Sequence, residues 1–553
     1  MTDSSNSVEA TEVLVVGAGP VGLSTAIPLA EAGADVVLID LADGPIQQSR
    51  AVWVHPRTLE QWATLGVAAR AIADGITIER IDLRPYGKQI GKVLYEGSGR
   101  TAYPFGLMLE QHRTQRLLLD RLAELGLRPR WNTRLTDLVT DADGGVTAQV
   151  RREDDAHDHT IRARYVVGAD GASSTVRDRI DLALEGGTYK SSFVSADLVM
   201  DIDLPHDRAH MMLSHRQTHA FLPLPAAEGQ DGRWRVVANF TPALERRYGT
   251  DAGPTGVSGL EPDDMRRILA GLHVRHELRA VEAAAVYRSH HRLVDAYRVG
   301  DVFLAGDAAH IHSPAGGLGM NTGIGDATNL GWKLAAVVNG QASDGLLDTY
   351  QAERRPVAES VLAISDSTFT LQASTNPFLS ALRIVVLPLV TVLANLTDRG
   401  RRAAFDALSQ IGQTYRNAWT TTGATDTPLA AGDRLPHAVA GGGSTHDRIR
   451  PAGLVALVLG DQEPGAASAG PIGAVLDDLA VPTTTLALGG LGRVAADVGA
   501  DPALLVVRPD GHLLHAGSAG DLDGLRRSLT SFVAESDKPA QRLRRDPELA
   551  RGG

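Results

Sequence analysis

Cysteine is absent from the 553 residues. Disulfides, thiolate metal sites, iron–sulfur clusters and cysteine nucleophiles are thereby excluded, so any redox chemistry must come from a bound cofactor. Positive charge is in deficit, with 54 Lys and Arg against 66 Asp and Glu and a net charge of −12. That balance disfavours nucleic acid or an anionic membrane as partner, since both are bound by cationic side chains. A small-molecule substrate is the expectation. Long apolar runs are missing too: the most lipid-like stretch, Ile384 to Leu396, contains Pro388 and is bounded by Arg383 and Asp398. It falls short of the ~20 residues that a membrane span needs and reads as a buried helix between domains. Met1 to Glu12 carries acidic residues and no apolar signal core, so a cytoplasmic location is expected.

What is present is an ordinary globular composition, 43% hydrophobic and 22% charged, in a chain long enough for two or three domains. Val13 to Val16 reads as a short strand running into Gly17-Ala18-Gly19-Pro20-Val21-Gly22. Leu23 to Ala32 has helical spacing, Gly33 stops it, and Ala34 to Ile39 is a second buried strand. Tyr165 to Gly168 and Val302 to Ala305 read as further strands, each ending in a turn that bears an aspartate. Between them, Met211 to Leu224 and Trp234 to Phe240 alternate apolar and polar residues, as a half-exposed antiparallel sheet would. Gly323 to Val338 and Leu346 to Ala363 read as helices. Thr421 to Thr445, with Gly441-Gly442-Gly443-Ser444, resembles a linker. Beyond it, strands Leu454 to Leu459 and Thr484 to Leu488, helix Gly473 to Leu479, the hairpin Leu504 to His515 and helix Leu522 to Val533 make a small α/β unit.

The glycine run follows a strand, opens a helix and is followed by Asp40 at the end of the second strand. In that context it is a dinucleotide fingerprint: glycines let backbone amides approach a pyrophosphate at the positive helix end, while Asp40 can accept hydrogen bonds from ribose hydroxyls.

Together, Gly17 to Gly22 with Asp40, then Val167-Gly168-Ala169-Asp170-Gly171, then Gly300-Asp301-Val302-Phe303-Leu304-Ala305-Gly306-Asp307-Ala308-Ala309-His310 resemble the single-component FAD monooxygenases. This group includes para-hydroxybenzoate hydroxylase and the tailoring hydroxylases of aromatic polyketides. The resemblance spans residues 10 to about 365. It implies an α/β protein with a Rossmann-like FAD-binding domain (1–185 with 281–366). It further implies an inserted antiparallel β-sheet substrate domain (186–280 with part of 76–105), a helical connector (367–420) and a thioredoxin-like C-terminal domain (446–553). By the same resemblance Asp170 and Gly171 lie near the cofactor's pyrophosphate and Gly306-Asp307 places a carboxylate on the ribitol. Pro314 lies against the isoalloxazine face, and Gly316, Gly317, Gly319 and the Met320-Asn321 backbone lie along the ring, where amide dipoles stabilise charge on reduced flavin. Ser49-Arg50-Ala51 and Gln111 match positions that touch the cofactor, Arg50 as a cation for the diphosphate.

The implied reaction uses NADPH or NADH as a transient reductant and oxygen as co-substrate. A C4a-hydroperoxide passes its distal oxygen to an electron-rich aromatic ring, inside a site that must exclude water. Gly323-Ile324-Gly325 lacks a strand before it, so no resident nicotinamide domain is expected. Phenol-oxidising relatives often carry an aspartate where this chain has Val52, which leaves histidines as candidates for activating the substrate: His55, His215 and His219. Trp53, Arg216, Phe221, Trp234 and His312 complete the candidate pocket. His310 and His312, with His290 and His291 nearby, are not expected to bind metal. The C-terminal unit, lacking cysteine, cannot exchange dithiols; structural packing or a homodimer contact is its plain reading. Baeyer–Villiger oxygenation of a polycyclic ketone, a flavin dehydrogenase and a non-catalytic aromatic-binding flavoprotein are the competing readings.

Asp307→Ala should weaken FAD retention by about 1.5–3 kcal/mol, the worth of one charge-assisted hydrogen bond. Titration of the apoprotein with FAD checks this, and unchanged affinity would remove Asp307 from the ribitol.

Overall fold

The structure, a computed structural model, describes residues 8–47, 51–95, 99–155, 157–215, 217–226, 231–239, 257–258, 260–313, 315–373, 377–419, 427–440, 443–462 and 464–532. At its centre four parallel strands run in the order Val36–Ile39, Glu9–Val16, His159–Gly168 and Val302–Leu304, edged by the antiparallel Arg298–Val299. Residues 13–16, 36–39 and 302–304 are all buried. A sheet covered on both faces has no polar side to alternate with, which is why these strands read as unbroken apolar runs. The helix after the glycine run spans Pro20–Glu31, starting before the apolar spacing does. Proline is suited to that first position because it has no amide to leave unpaired. This helix packs against Gln111–Glu124 and Gly319–Val338, and the latter in turn against the long helix Gly345–Ala373.

A second sheet of nine strands lies across one end. Its order is Val257–Ser258, His276–Leu293, Glu185–Ile202, Arg233–Asn239, Thr218–Pro223, Ala209–Leu213, Arg80–Pro85 and Gly91–Leu94, with His310–Ile311 pairing on His276–Leu293. It is not half exposed. Helix Pro262–Leu269 lays Met265, Ile268 and Leu269 over Phe221 and Trp234, while the opposite face packs Ala209, Leu222 and Leu224 on Val52, Ile78 and Met108. The last element, His310–Ile311, comes directly from the third glycine-bearing turn, so sheet and turn are physically continuous.

Two further expectations are overturned. The apolar run Ile384 to Leu396 is not a buried helix: Val385, Leu389, Leu393 and Leu396 are 62, 52, 55 and 73% exposed. It lies in the helical segment from Pro377 to Asn395, which contacts the edge strand Gly91–Leu94 on one side. Pro388 does not break it, because a π-helical turn at Leu382–Val386 precedes the proline and absorbs the missing amide. Nor is Thr421 to Thr445 a solvated linker where it is described. Leu429 and Leu435 are buried, and Asp433 accepts from Arg416 and from the Ala430 amide. Residues 421–426, Gly441 and Gly442 lie outside the described residues.

The C-terminal sheet has the order Thr483–Leu488, Leu454–Leu459, Ala503–Val507 and Leu513–Ser518, the first pair parallel and the others antiparallel. Helices Ala466–Asp477, Gly492–Val498 and Leu522–Ser528 flank it. Ala456, Val458, Leu504, Val506 and Phe532 merge with the core of the central sheet.

Burial pushes His55, His219, His312, His446, His512 and His515 from the ordinary histidine value near 6.5 down to about 4. Unfolding restores the higher value. Between about pH 6.5 and 4 the unfolded chain therefore binds protons that the folded chain refuses, and stability falls as pH falls, by of order 1–2 kcal/mol per group at pH 5. Burial also opposes the charge on Glu60 and Glu353, but neighbouring cations win and hold both at about 2, so a second loss follows below about pH 4.5. A urea midpoint that stays flat between pH 7 and 5 would contradict this.

Candidate active site

Three turns leave the carboxyl ends of adjacent parallel strands at Gly17, Ala169 and Ala305. The ladder carries one step beyond the strands, with Gly17 N donating to Ile39 O (2.8 Å), Ala169 N to Val16 O (2.8 Å) and Ala305 N to Gly168 O (2.9 Å). The turns then meet with almost no side chain between them. A Cβ placed on Gly22 would sit 1.8 Å from Gly17 O, and one on Gly17, whose φ is +106°, would sit 2.4 Å from Ala169 O. A Cβ on Gly306 or Gly323 would press to 2.8 or 2.7 Å from Val21 Cγ2. Gly19 and Gly171, in contrast, face open space. The helix that starts at Pro20 has no side-chain cap and no acidic residue in its first turn, so its Val21 and Gly22 amides suit an anion. A groove at the carboxyl ends of parallel strands, floored by bare backbone and closed by a positive helix end, fits the pyrophosphate of a dinucleotide.

The carboxylates have distinct surroundings. Asp40 accepts from the Ala18 amide (2.6 Å) and the Ala42 amide (2.8 Å), fixing the glycine run to the second strand. Asp170 accepts from Ser174 Oγ and from the Thr175 and Val176 amides, so its carboxylate folds its own turn and caps the helix Thr175–Arg179. Asp307 is exposed in the turn Gly306–Ala308. Gln111 Oε1 accepts from the Ala51 amide (3.2 Å), anchoring the residue that follows Arg50. Ser49, Arg50 and Pro314 lie outside the described residues.

In the segment Ser313 to Asn321, Gly316 and Gly317 adopt φ of +83° and +64°. The helix Gly319–Val338 begins inside this segment, so Gly319, Met320 and Asn321 form its first turn and not a loop. Asn321 is saturated: Oδ1 accepts from the His55 amide (2.9 Å) and Thr58 Oγ1 (2.8 Å), and Nδ2 donates to Trp53 O and Gly317 O (2.8 Å each). His55 sits in the pocket so made, fully buried, with Nε2 3.0 Å from Gly316 O and its ring 5.8 Å from that of Trp53. A carbonyl can only accept, so Nε2 carries the proton and Nδ1 presents a lone pair. Nδ1 is buried without a partner. Since burial depresses the ring to about 4, His55 is neutral at pH 7.

Trp53, Tyr95 and Phe405 pack in sequence with centroids 6.2 Å apart at each step, the first pair tilted and the second edge to face, beneath Ala209, Leu222 and Leu224 of the nine-stranded sheet. Trp53 Nε1 and Tyr95 Oη are buried polar atoms beyond full hydrogen-bond distance of any partner, although the indole lies near enough to the Tyr95 oxygen to offset a part of what burial does to it. A cavity of about 470 Å³ is lined by Ile76 and Leu224 from this side and by Met200, Leu204 and Trp234 from the core on the other face of the sheet, with Asp201 and Asp231; Trp53, Tyr95, Phe405 and His55 do not line it. Volumes of this order hold drug-sized ligands.

Other candidates lie elsewhere. His219 is on the outer face of the sheet, its Nε2 3.0 Å from Ile268 O of the covering helix, and Phe221 packs beside it. His215 is exposed at the turn between Ala209–Leu213 and Thr218–Pro223, 3.4 Å from Tyr86 Oη. Neither reaches His55 or the 313–321 segment. Alternation along Thr218–Pro223 sends odd and even residues to opposite faces, and the odd ones face outward here. His312 donates from Nδ1 to Ser313 O and stacks on His310; Arg216 lies outside the described residues. Tyr95, Phe405, Gln115 and Asp326 were not legible as site residues. Gln115 ties the glycine run to the Ile46 amide through Ala18 O (2.7 Å). Asp326 accepts from the Gly306 amide (3.1 Å) and lies 2.8 Å from His310 Nε2. A carboxylate inside Gly319–Val338, a helix whose one other charged residue is Lys333, was the available signal.

A family model described as FAD binding domain matches residues 10–365. The chain is 38% identical to 6-methylpretetramide 4-monooxygenase of Streptomyces rimosus over 452 residues, 81% of this chain and 76% of that protein. It superposes on anhydrotetracycline hydroxylase OxyS from Streptomyces rimosus with a TM-score of 0.74 at 30% identity, over 95% of this chain and 99% of that one. Aklavinone-11 hydroxylase, solved with FAD and aklavinone, matches at 26% identity with a TM-score of 0.73 over 95% and 99% of the two chains.

Gly22→Ala should destabilise the apoprotein by about 3 kcal/mol or more, because its Cβ meets backbone that cannot yield. Gly19→Ala, facing open space, should stay within about 0.5–1 kcal/mol of the parent. Denaturant unfolding of both apoproteins checks the contrast, and equal losses would refute it.

Proposed function

The chain belongs to the FAD binding domain family, and on that premise we propose that it is an FAD-dependent monooxygenase that hydroxylates a phenolic or polycyclic aromatic compound, with NADPH or NADH as transient reductant and oxygen as co-substrate. The observation that carries this is a juxtaposition. The buried aromatic cluster of Trp53, Tyr95 and Phe405 adjoins the 313–321 segment at His55, so an aromatic ring held there meets the place where the family's flavin lies. When bound and reduced, FAD supplies the oxygen activation; the chain's residues hold, orient and shield the substrate.

Apolar walls exclude water, which would otherwise divert activated oxygen to hydrogen peroxide. Trp53 Nε1 and Tyr95 Oη offer hydrogen bonds to oxygen substituents on a polycyclic skeleton, and burial raises the Tyr95 hydroxyl far above the usual phenol range, keeping it a neutral donor. His55 takes the role that the absent aspartate at Val52 would have held. With its proton on Nε2, Nδ1 can accept from a substrate hydroxyl; being too weak a base to remove that proton outright, it increases electron density on the ring through a hydrogen bond. Asp307 and the amides of Val21 and Gly22 are assigned to the ribitol and the pyrophosphate, with Asp40 and Asp170 shaping the turns. The domain division follows the sheets: nucleotide unit, nine-stranded substrate roof, helical connector and a C-terminal unit whose parallel-then-antiparallel four-stranded order supports a thioredoxin-like ancestry without its chemistry.

FAD-loaded protein supplied with NADPH, oxygen and a panel of phenols and polycyclic phenols should give a product heavier by one oxygen atom, checked by mass spectrometry. His55→Phe should keep FAD and lower the yield of product per NADPH consumed by roughly tenfold, the worth of one hydrogen bond, with peroxide rising to match. A ring-opened ester or turnover indifferent to oxygen would overturn the hydroxylase reading.

A further inference from the structure

The turn Arg508 to His512 of the C-terminal hairpin leaves its own sheet and enters the nucleotide unit. Arg508, fully buried, donates to both Glu353 oxygens (2.7 and 2.9 Å) and to Asp510 Oδ2 (2.5 Å). Lys333 donates to Glu353 and to Asn329 (2.9 Å each), and Asn329 Nδ2 lies 3.2 Å from Asp510 Oδ2. Buried charges of this kind are strongly held only when all their partners are in place.

Two routes lead from this turn to the flavin segments. In the first, Arg57 donates from NH2 to Asp510 O (2.6 Å) and His512 Nδ1 (3.1 Å). Arg57 lies in the helix Pro56–Thr64, which directly follows His55 and which Thr58 ties to Asn321. In the second, the His512 ring stacks on Tyr415 at 4.0 Å, Tyr415 Oη accepts from Arg354 NH1 (2.9 Å), Arg354 Nε donates to Asp326 (2.7 Å), and Asp326 accepts from the Gly306 amide. Burial opposes the charge on Asp326, but Arg354 and His310 hold it below the ordinary carboxylate range.

We infer that the Arg508–His512 turn is a positioning element for the flavin site: Asp510 and His512 act through Arg57 on His55 and through Tyr415, Arg354 and Asp326 on the Gly306 turn. The cysteine-free C-terminal unit thus contributes to the chemistry without touching flavin or substrate. This inference rests on the flavin reading above.

The test uses full-length, FAD-loaded protein and two conservative variants, Tyr415→Phe, which keeps the ring stack and deletes the acceptor of Arg354, and Asp510→Asn. Phe532→Leu is the control; Phe532 stacks on Trp332 (6.2 Å), whose ring also carries the Arg508 guanidinium (5.3 Å), so it perturbs the packing beneath the turn while leaving every bond of the two routes in place. Tyr415→Phe and Asp510→Asn should weaken FAD binding by about fivefold or more, move the visible flavin spectrum, and raise peroxide per NADPH. Phe532→Leu should lower the melting temperature and leave all three unchanged. If both route variants lower the melting temperature while FAD affinity and spectrum match the parent, the turn is packing alone and the inference is overturned. Should Asp510→Asn fail to fold, Tyr415→Phe decides by the same readouts. Failure of the hydroxylase reading would show separately, as a parent protein that binds FAD but makes no oxygenated product.

Discussion

Backbone meeting backbone is the constraint on which the rest of this structure depends. Gly22 lies against Gly17 O, Gly17 against Ala169 O, and Gly323 against the Gly306 turn, so three segments far apart in the chain share one small volume. Even a methyl group would separate them. The same rule extends along the helix pair Pro20–Glu31 and Gly319–Val338, where a Cβ on Gly331 would stand 2.6 Å from Pro28 Cγ and 3.0 Å from Thr25 O. Close approach here sets the height of the second helix over the sheet, and that height sets where its first turn, Gly319 to Asn321, can lie.

Once backbone is packed this tightly, side chains must satisfy what the turns leave over. Asn321 uses all four of its hydrogen bonds to join the Trp53 strand, the helix after His55 and the glycine-rich segment. Asp326 does the same from one turn further along, on the other side of the helix. Both are polar and both are buried, as are Asn329 and Lys333 of the same helix. Leaving a buried donor or acceptor unpaired costs about 1–3 kcal/mol, so a site built from backbone turns needs such clamps around it.

The local part of this arrangement was legible in the sequence. Glycines at fixed spacing after an apolar strand have few other uses, and the strands and turns bearing Gly17, Gly168 and Gly306 stand side by side as their pattern required. What was not legible depended on direction in space. His215 and His219 lie in a strongly alternating stretch, but alternation alone does not tell which face looks toward the flavin segment; the helix Pro262–Leu269 settles it by covering the side that holds His219. Ile384 to Leu396 was apolar enough for a core and yet lies outside, because what it meets, the short edge strand Gly91–Leu94 and the helix Asp398–Ser409, covers one part of it and leaves the rest exposed. Tyr95 and Phe405 are distant in sequence from every motif and become neighbours only when the sheet roof and the connector close on each other.

The docking of the C-terminal hairpin bears on how such a protein can change over generations. Arg508 is paired with Glu353, which Lys333 also holds, and the Asp510 carbonyl accepts from Arg57, all three partners lying outside the C-terminal sheet. An exchange of the C-terminal unit with that of a relative would therefore inherit one half of a buried lock without the other. Only the innermost turn carries this requirement: its charges and those of the helices it meets have to match, because either half left alone would be a buried charge without its counterpart.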